Sequence, residues 1–261
     1  MRTLLFLLLT LVTAPVAEEP ETAGEVLRFS VSYNWHAVAT DVASAEISFT
    51  PGTIGGQKVE HISLTARTAR FFDAFFKVRE GFDSWVSEDT GLPVRFIRNT
   101  REGSYTAFNR YEYDWKGGKI DAVIRKRDRD PVSKTIPLEG PCYDLPSLMS
   151  YVRHLDLTGF TEGKSVRIPY VFSDETSSIS LIYRGKAVKP IKGLGQVAVL
   201  RFALTVADED VFESGSLAEI WLSDDGNRIP VYFVAPIKVG AMSGRLKTYE
   251  GLKHPFTALQ Q

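Results

Sequence analysis

The chain has 261 residues, with 31 Lys and Arg against 32 Asp and Glu, and a single cysteine. A net charge of −1 with both signs interspersed argues against nucleic acid as a partner, because phosphate backbones select strongly basic surfaces. One cysteine excludes an internal disulfide, so the fold must rest on its core, and a chain of this length can bury a sufficient one.

The first segment reads as an address. Met1-Arg2-Thr3 precedes an apolar run from Leu4 to Val12, broken only by Thr10. A short basic start followed by about ten apolar residues is the secretory pattern. Spanning a bilayer needs about twenty such residues. Residues 1–17 are therefore expected to be a signal peptide cut near Ala17. The expected product is exported, soluble and not membrane-spanning. A lipid anchor at the cut would need a cysteine there, and Cys142 lies far downstream.

From Leu27 onward, period-two alternation dominates. Leu27, Phe29, Val31 and Tyr33 share one face of a strand, with Arg28, Ser30 and Ser32 on the other. Ala43 to Phe49, His61 to Ala66, Tyr105 to Tyr113, Ile179 to Tyr183 and Val197 to Val206 read the same way. Gly117-Gly118 and Asp225-Gly226-Asn227 are turn signals. The pattern predicts an all-β, mainly antiparallel protein with a curled, barrel-like or sandwich sheet.

One segment is helical. Leu145, Leu148, Met149, Val152 and Leu155 fall at helical spacing, with Asp144 positioned as N-cap and Pro146 in the first turn. A single α-helix over about 145–156 is expected. The stretch before it, Asp128 to Pro146, holds four prolines and reads as a connector.

An internal repeat flanks that connector. Trp85 to Phe96 (WVSEDTGLPVRF) matches Trp221 to Phe233 (WLSDDGNRIPVYF), and Gly103 and Gly240 each lie seven residues beyond the phenylalanine. Each copy is a strand, an acidic turn and a return strand opened by proline, which suits a strand start because it cannot donate to the ladder. One domain over 24–261 is expected, with related halves at 26–127 and 163–251 joined by the connector and helix at 128–160.

Candidate chemistry is sparse. His36, His61, His154 and His254 are scattered without metal-ligand spacing, so no metal is expected. Ser214-Gly215-Ser216 lacks the nucleophile-elbow spacing and reads as a loop. Cys142 near a helix N-terminus could be acidified, but burial is the simpler reading. Glu88-Asp89 and Asp224-Asp225 could serve a glycan hydrolase as a carboxylate pair, although turn-shaping explains them more simply. The run Arg125-Lys126-Arg127-Asp128-Arg129-Asp130 could touch an anionic headgroup or glycan, and otherwise is a solvated hairpin end. No catalytic residue and no cofactor is expected.

The remaining candidate is Phe71-Phe72-Asp73-Ala74-Phe75-Phe76, flanked by Arg70 and Lys77. Its phenylalanines at i, i+1, i+4 and i+5 share one face of a helical turn. Core packing is the simpler reading. As a lid over a curled sheet, Phe71, Phe72, Phe75 and Phe76 would contact a lipid or other amphipathic ligand.

The segment Cys142-Tyr143-Asp144-Leu145 through Leu155-Asp156 carries a family resemblance. So do Tyr183-Arg184-Gly185 and the run Ile220 to Pro230 with Val239-Gly240. On these residues the chain resembles the exported bacterial domain-of-unknown-function family DUF3108, from about Phe29 to Gly251. The W-x-[ST]-D-D-x-N-R-x-P run is the most specific part, with Ser223 where the family commonly shows Thr. The resemblance implies a periplasmic envelope protein with a β-rich fold, and brings no catalytic residues. The hairpin pattern is also similar to that of periplasmic lipoprotein carriers with half-barrel folds, a likeness of architecture alone. The expected function is therefore a non-catalytic binding or carrier protein for an apolar or amphipathic ligand. The alternatives are the glycan hydrolase and a structural adaptor for another envelope protein.

Overall fold

The computed structural model describes residues 24–35, 38–205, 217–237 and 239–260. The signal segment 1–17, His36, Val206 and Ser214-Gly215-Ser216 lie outside these residues.

The alternating segments form one fifteen-stranded sheet in two antiparallel meanders. The first runs through β1 (Glu25–Trp35), β2 (Val38–Ile54), β3 (Gln57–Thr68), β4 (Val78–Ser87), β5 (Pro93–Glu102), β6 (Tyr105–Asp114), β7 (Lys119–Lys126) and β8 (Val132–Pro137). The second runs through β9 (Ser165–Phe172), β10 (Glu175–Ile191), β11 (Gly195–Thr205), β12 (Leu217–Ser223), β13 (Pro230–Pro236) and β14 (Ala241–Glu250). Pairing of β1 with β14 joins the meanders, and β15 (Leu259–Gln260) adds to β11. The sheet curls without closing, and β8 and β9 are its ends. The gap is bridged by side chains. Tyr111 Oη donates to the Ser173 carbonyl at 2.6 Å, and Asp174 pairs with both Lys126 and Lys134.

Two features differ from the sequence reading. The expected connector at 128–160 contains strand β8, which extends the first meander, because Ile136 supplies an inward apolar residue opposite Ile120. There are also two helices rather than one. α1 (Arg70–Asp73) is a single turn between β3 and β4, and α2 (Leu145–His154) ends two residues earlier than expected.

The concave side is filled by side chains in three clusters. Leu27, Phe29, Ile47 and Phe49 anchor the first, and Phe82, Phe96 and Tyr111 the second. The third packs Leu181, Phe202 and Leu222 beneath α2. Most of the expected apolar stripe packs there: Val152 is buried, and Leu148, Met149 and Leu155 are half-buried against the cluster. The departures are Leu145, which is exposed, and Ser147, Ser150 and Arg153, which are buried. Polar groups on the facing strands explain this. The fully buried Asp144 carboxylate accepts from Ser147 N–H, and also from Ser84 Oγ on β4 and Tyr113 Oη on β6. Arg153 grips Glu25 on β1 with two nitrogens, at 2.7 and 2.9 Å, and donates to the Asn227 carbonyl. Desolvation pushes the Asp144 carboxyl up to about 6, against the pull of its donors.

The two repeated hairpins fold alike. Each has a register shift directly after its tryptophan, and in each the next residue (Val86 or Leu222) faces the proline of the return strand. Ser87 N–H donates to the Leu92 carbonyl, and Ser223 N–H to that of Ile229. Gly91 has φ +68°, and Arg228, at the same place before the Ile-Pro step, has φ +46°. A non-glycine residue there costs about 1–2 kcal/mol. The Arg228 guanidinium offsets that cost by donating to the Leu155 carbonyl at 2.6 Å, just past the C-terminal end of α2.

Candidate functional site

Strand directions place α1 and the β5–β6, β7–β8, β9–β10 and β13–β14 connections at one end of the sheet. The helix α2 and the β4–β5 and β12–β13 turns occupy the other. Most of the large hydrophobic side chains left exposed among the described residues gather at the α1 end. Phe71 is 72% exposed, Phe75 77% and Phe76 57%, and Val132 at the start of β8, Phe172 at the end of β9 and Val239 between β13 and β14 are exposed at the same end. Core packing of this cluster is thus overturned. The β3–β4 connection projects beyond the strand ends, leaving no second layer for the rings to pack against, and only Phe72 and Asp73 of α1 are half-buried.

The projecting turn is held firmly. Asp73 accepts from Thr68 Oγ1 and from two nitrogens of Arg79, which keeps its carboxyl down at about 2. Phe71 meets Phe72 edge-on with centroids 5.2 Å apart, and Phe75 at 5.7 Å. The Phe76 ring lies against Gly103, where a Cβ would come within 3.3 Å of it, and Gly103 N–H donates to the Lys77 carbonyl. The φ of +58° at Gly103 favours glycine for a second reason.

Directly beneath α1, on the convex face, three arginines stand side by side. Arg67 on β3 is opposite Arg79 on β4, and Arg79 is opposite Arg101 on β5. Like charges directly opposite across strands are unfavourable. Asp73 neutralises Arg79, while among the described residues Arg67 and Arg101 form no ion pair. An open depression of about 690 Å³ adjoins the row, lined by Arg28, Arg67, Arg79 and Lys247, by Ser44 and Thr65, and by the carboxylates Glu46 and Glu80. Arg28 there is engaged by Glu46 and Glu250. On the concave side, Arg98 donates to Thr100, which donates to Glu80 at 2.6 Å, and the other Glu80 oxygen is buried without a partner. Burial pushes the Glu80 carboxyl up to about 7, with repulsion from Glu102 adding to it.

The other sequence candidates are dispersed. His61 stacks on Trp85 and bonds Asp83 at 2.9 Å, His154 bonds the Ser150 carbonyl, and the His254 N–H donates to Asn227. Among the described residues no group of three or more His, Cys, Asp or Glu could hold a metal ion. Glu88-Asp89 and Asp224-Asp225 occupy two different hairpin turns. Asp224 pairs with Lys186, and Asp225 accepts from the Asn227 and Arg228 N–H groups of its own turn. Cys142 is buried, and desolvation followed by repulsion from Asp144 pushes its thiol up to about 12, so proximity to the helix N-terminus does not activate it. Arg125 lies 5.8 Å over Phe108, and the rest of its basic run ends β7 and turns toward β8 at the α1 end. The sequence reading missed the arginine row. Its signal was present in the odd-numbered residues Arg67, Arg79 and Arg101, but only strand register brings them together.

The architecture is that of an all-β, barrel-like protein whose single curled sheet stays open. The chain belongs to the family described as protein of unknown function DUF3108, whose model matches residues 28–247. In fold it is similar to the crystal structure of a β-barrel-like protein of domain of unknown function DUF1849 from Brucella abortus. The TM-score is 0.53 at 12% identity, covering 88% of this chain and 98% of that one. No curated protein matches the sequence. Among the described residues no helix is long and apolar enough to cross a membrane.

Proposed function

We propose that this is an exported, non-catalytic binding protein that engages an amphipathic ligand through the rim formed by Phe71, Phe75 and Phe76. One observation carries the reading: three large aromatic rings are held out from the sheet end on a clamped turn. Solvated rings of this size forfeit about 1.5–3 kcal/mol each relative to burial, a cost that a bound apolar surface would recover. The concave side is filled by its own side chains, which favours contact at the rim over enclosure. Export is supported by residues 1–17 in sequence.

Native mass spectrometry of the mature protein with lysophosphatidylcholine below its micellar concentration tests this. Wild type is expected to carry the lipid, and Phe71→Ser/Phe75→Ser to bind roughly a hundredfold more weakly. Equal binding by both proteins, or none by wild type, would sink the reading.

A further inference from the structure

We propose that the α1 end is a docking surface for an anionic phospholipid bilayer, with the phenylalanines entering the acyl boundary and Arg67, Arg79 and Arg101 holding lipid phosphates. The inference rests on the amphipathic-ligand reading and names its target.

Three observations converge. The exposed rings and the arginine row adjoin: Arg67 is the penultimate residue of β3, Thr68 holds Asp73, and Arg79 joins α1 to the row. The row is electrostatically unfinished. Three guanidinium groups in direct register share one carboxylate, and Arg67, Arg101 and Lys247 form no ion pair among the described residues. The depression next to the row is lined by Glu46 and Glu80 as well as by cations, but Arg67 and Lys247, which carry no ion pair among the described residues, stand there beside the hydroxyls of Ser44 and Thr65 as donors for phosphate oxygens. Phosphate recognition alone would not need the rings, and an apolar ligand alone would not need the row. A bilayer with anionic headgroups presents both chemistries at the right depth order, with phosphates outside and acyl chains within.

The charge complement selects anionic lipid over a protein partner. Each cation near such a surface contributes additively and falls off with the screening length, so the excess rests on Arg67 and Arg101 of the row, since the β7–β8 turn at the same end is balanced, Arg127 and Arg129 against Asp128 and Asp130.

Vesicle flotation of the full mature protein tests the proposal. It compares phosphatidylcholine vesicles with equimolar phosphatidylcholine–phosphatidylglycerol vesicles, at about 0.1 M and about 1 M salt, where the screening length falls from about 10 to about 3 Å. Wild type is expected to float with the anionic vesicles at low salt and to be released at high salt. Arg67→Gln/Arg101→Gln should bind them about thirtyfold more weakly, with an unchanged melting temperature. Equal flotation with both vesicle types, or full binding by the arginine variant, overturns the docking proposal. If wild type binds the monomeric lipid but no vesicle, docking fails and the ligand reading stands. If it binds neither, both fail.

Discussion

Each end of the sheet carries a helix, and each helix is tied down by an aspartate, but the surroundings of the two are opposite. At the α2 end, Asp144 is wholly buried among neutral donors, and its carboxyl rises to about 6. At the α1 end, Asp73 is half-buried against a guanidinium, and its carboxyl falls to about 2. Around Asp144, serine, tyrosine and an arginine–glutamate pair are turned inward, while around Asp73 phenylalanines are turned outward. The usual sorting of polar from apolar is locally inverted at both ends. At one end the inversion locks a helix into the concave face; at the other it leaves a surface in need of something to cover it.

Perturbing the buried end should have the largest effect. Arg153→Met leaves Glu25 buried without its partner and is expected to destabilise the fold by about 3–5 kcal/mol in urea unfolding. A loss below about 1 kcal/mol would mean that α2 is not anchored there. The next effect is a pH dependence. The native Asp144 carboxyl titrates near 6, against about 3.9 for an unfolded aspartate, so between these values the native state holds more protons. Its contribution is full below about pH 4 and is lost as the pH rises through 6, a decline of up to about 3 kcal/mol. Asp144→Asn should abolish that slope, seen as a flatter difference in urea midpoint between pH 4 and pH 7.

A smaller contrast isolates the strained turn. Arg228→Ala loses the hydrogen bond to the Leu155 carbonyl and keeps the left-handed backbone, whereas Arg228→Gly loses the bond but relieves the backbone. Glycine should therefore be the more stable of the two by about 1 kcal/mol. At the α1 end, Phe71→Ser/Phe75→Ser should change stability by less than about 0.5 kcal/mol, since neither ring is buried. A large loss there would show that the rings belong to the core after all.

Sequence patterning made most of the sheet legible, because period-two alternation reports directly on one buried face, as in Leu27 and Phe29 of β1. The cap at Asp144 and the proline-opened hairpins were also readable, since they depend on neighbours a few residues apart. The face of α2 was readable only in part. Leu148, Met149, Val152 and Leu155 pack as their spacing predicts, but Ser84, Tyr113 and Glu25, far away in the chain, draw Asp144 and Arg153 inward as well, and Leu145 is left exposed. The exposure of Phe71 and Phe75 was equally hidden. Four phenylalanines in six residues fit a core as well as a rim, and only the overhang of the β3–β4 connection decides between them. The arginine row needed the register of three strands at once.

The pairing of β1 with β14 has a consequence for how the molecule comes into being. Each meander consists of neighbours in sequence and can zip locally, but the seam at the centre of the sheet unites residues about 210–220 positions apart, such as Val31 with Gly244. Contacts that close so long a loop form late. Until the residues from Ala241 onward are available, β1 and β13 are both bare edges of the kind that recruit other chains. A chain cut just before Ala241 should therefore aggregate rather than yield a smaller, working fragment.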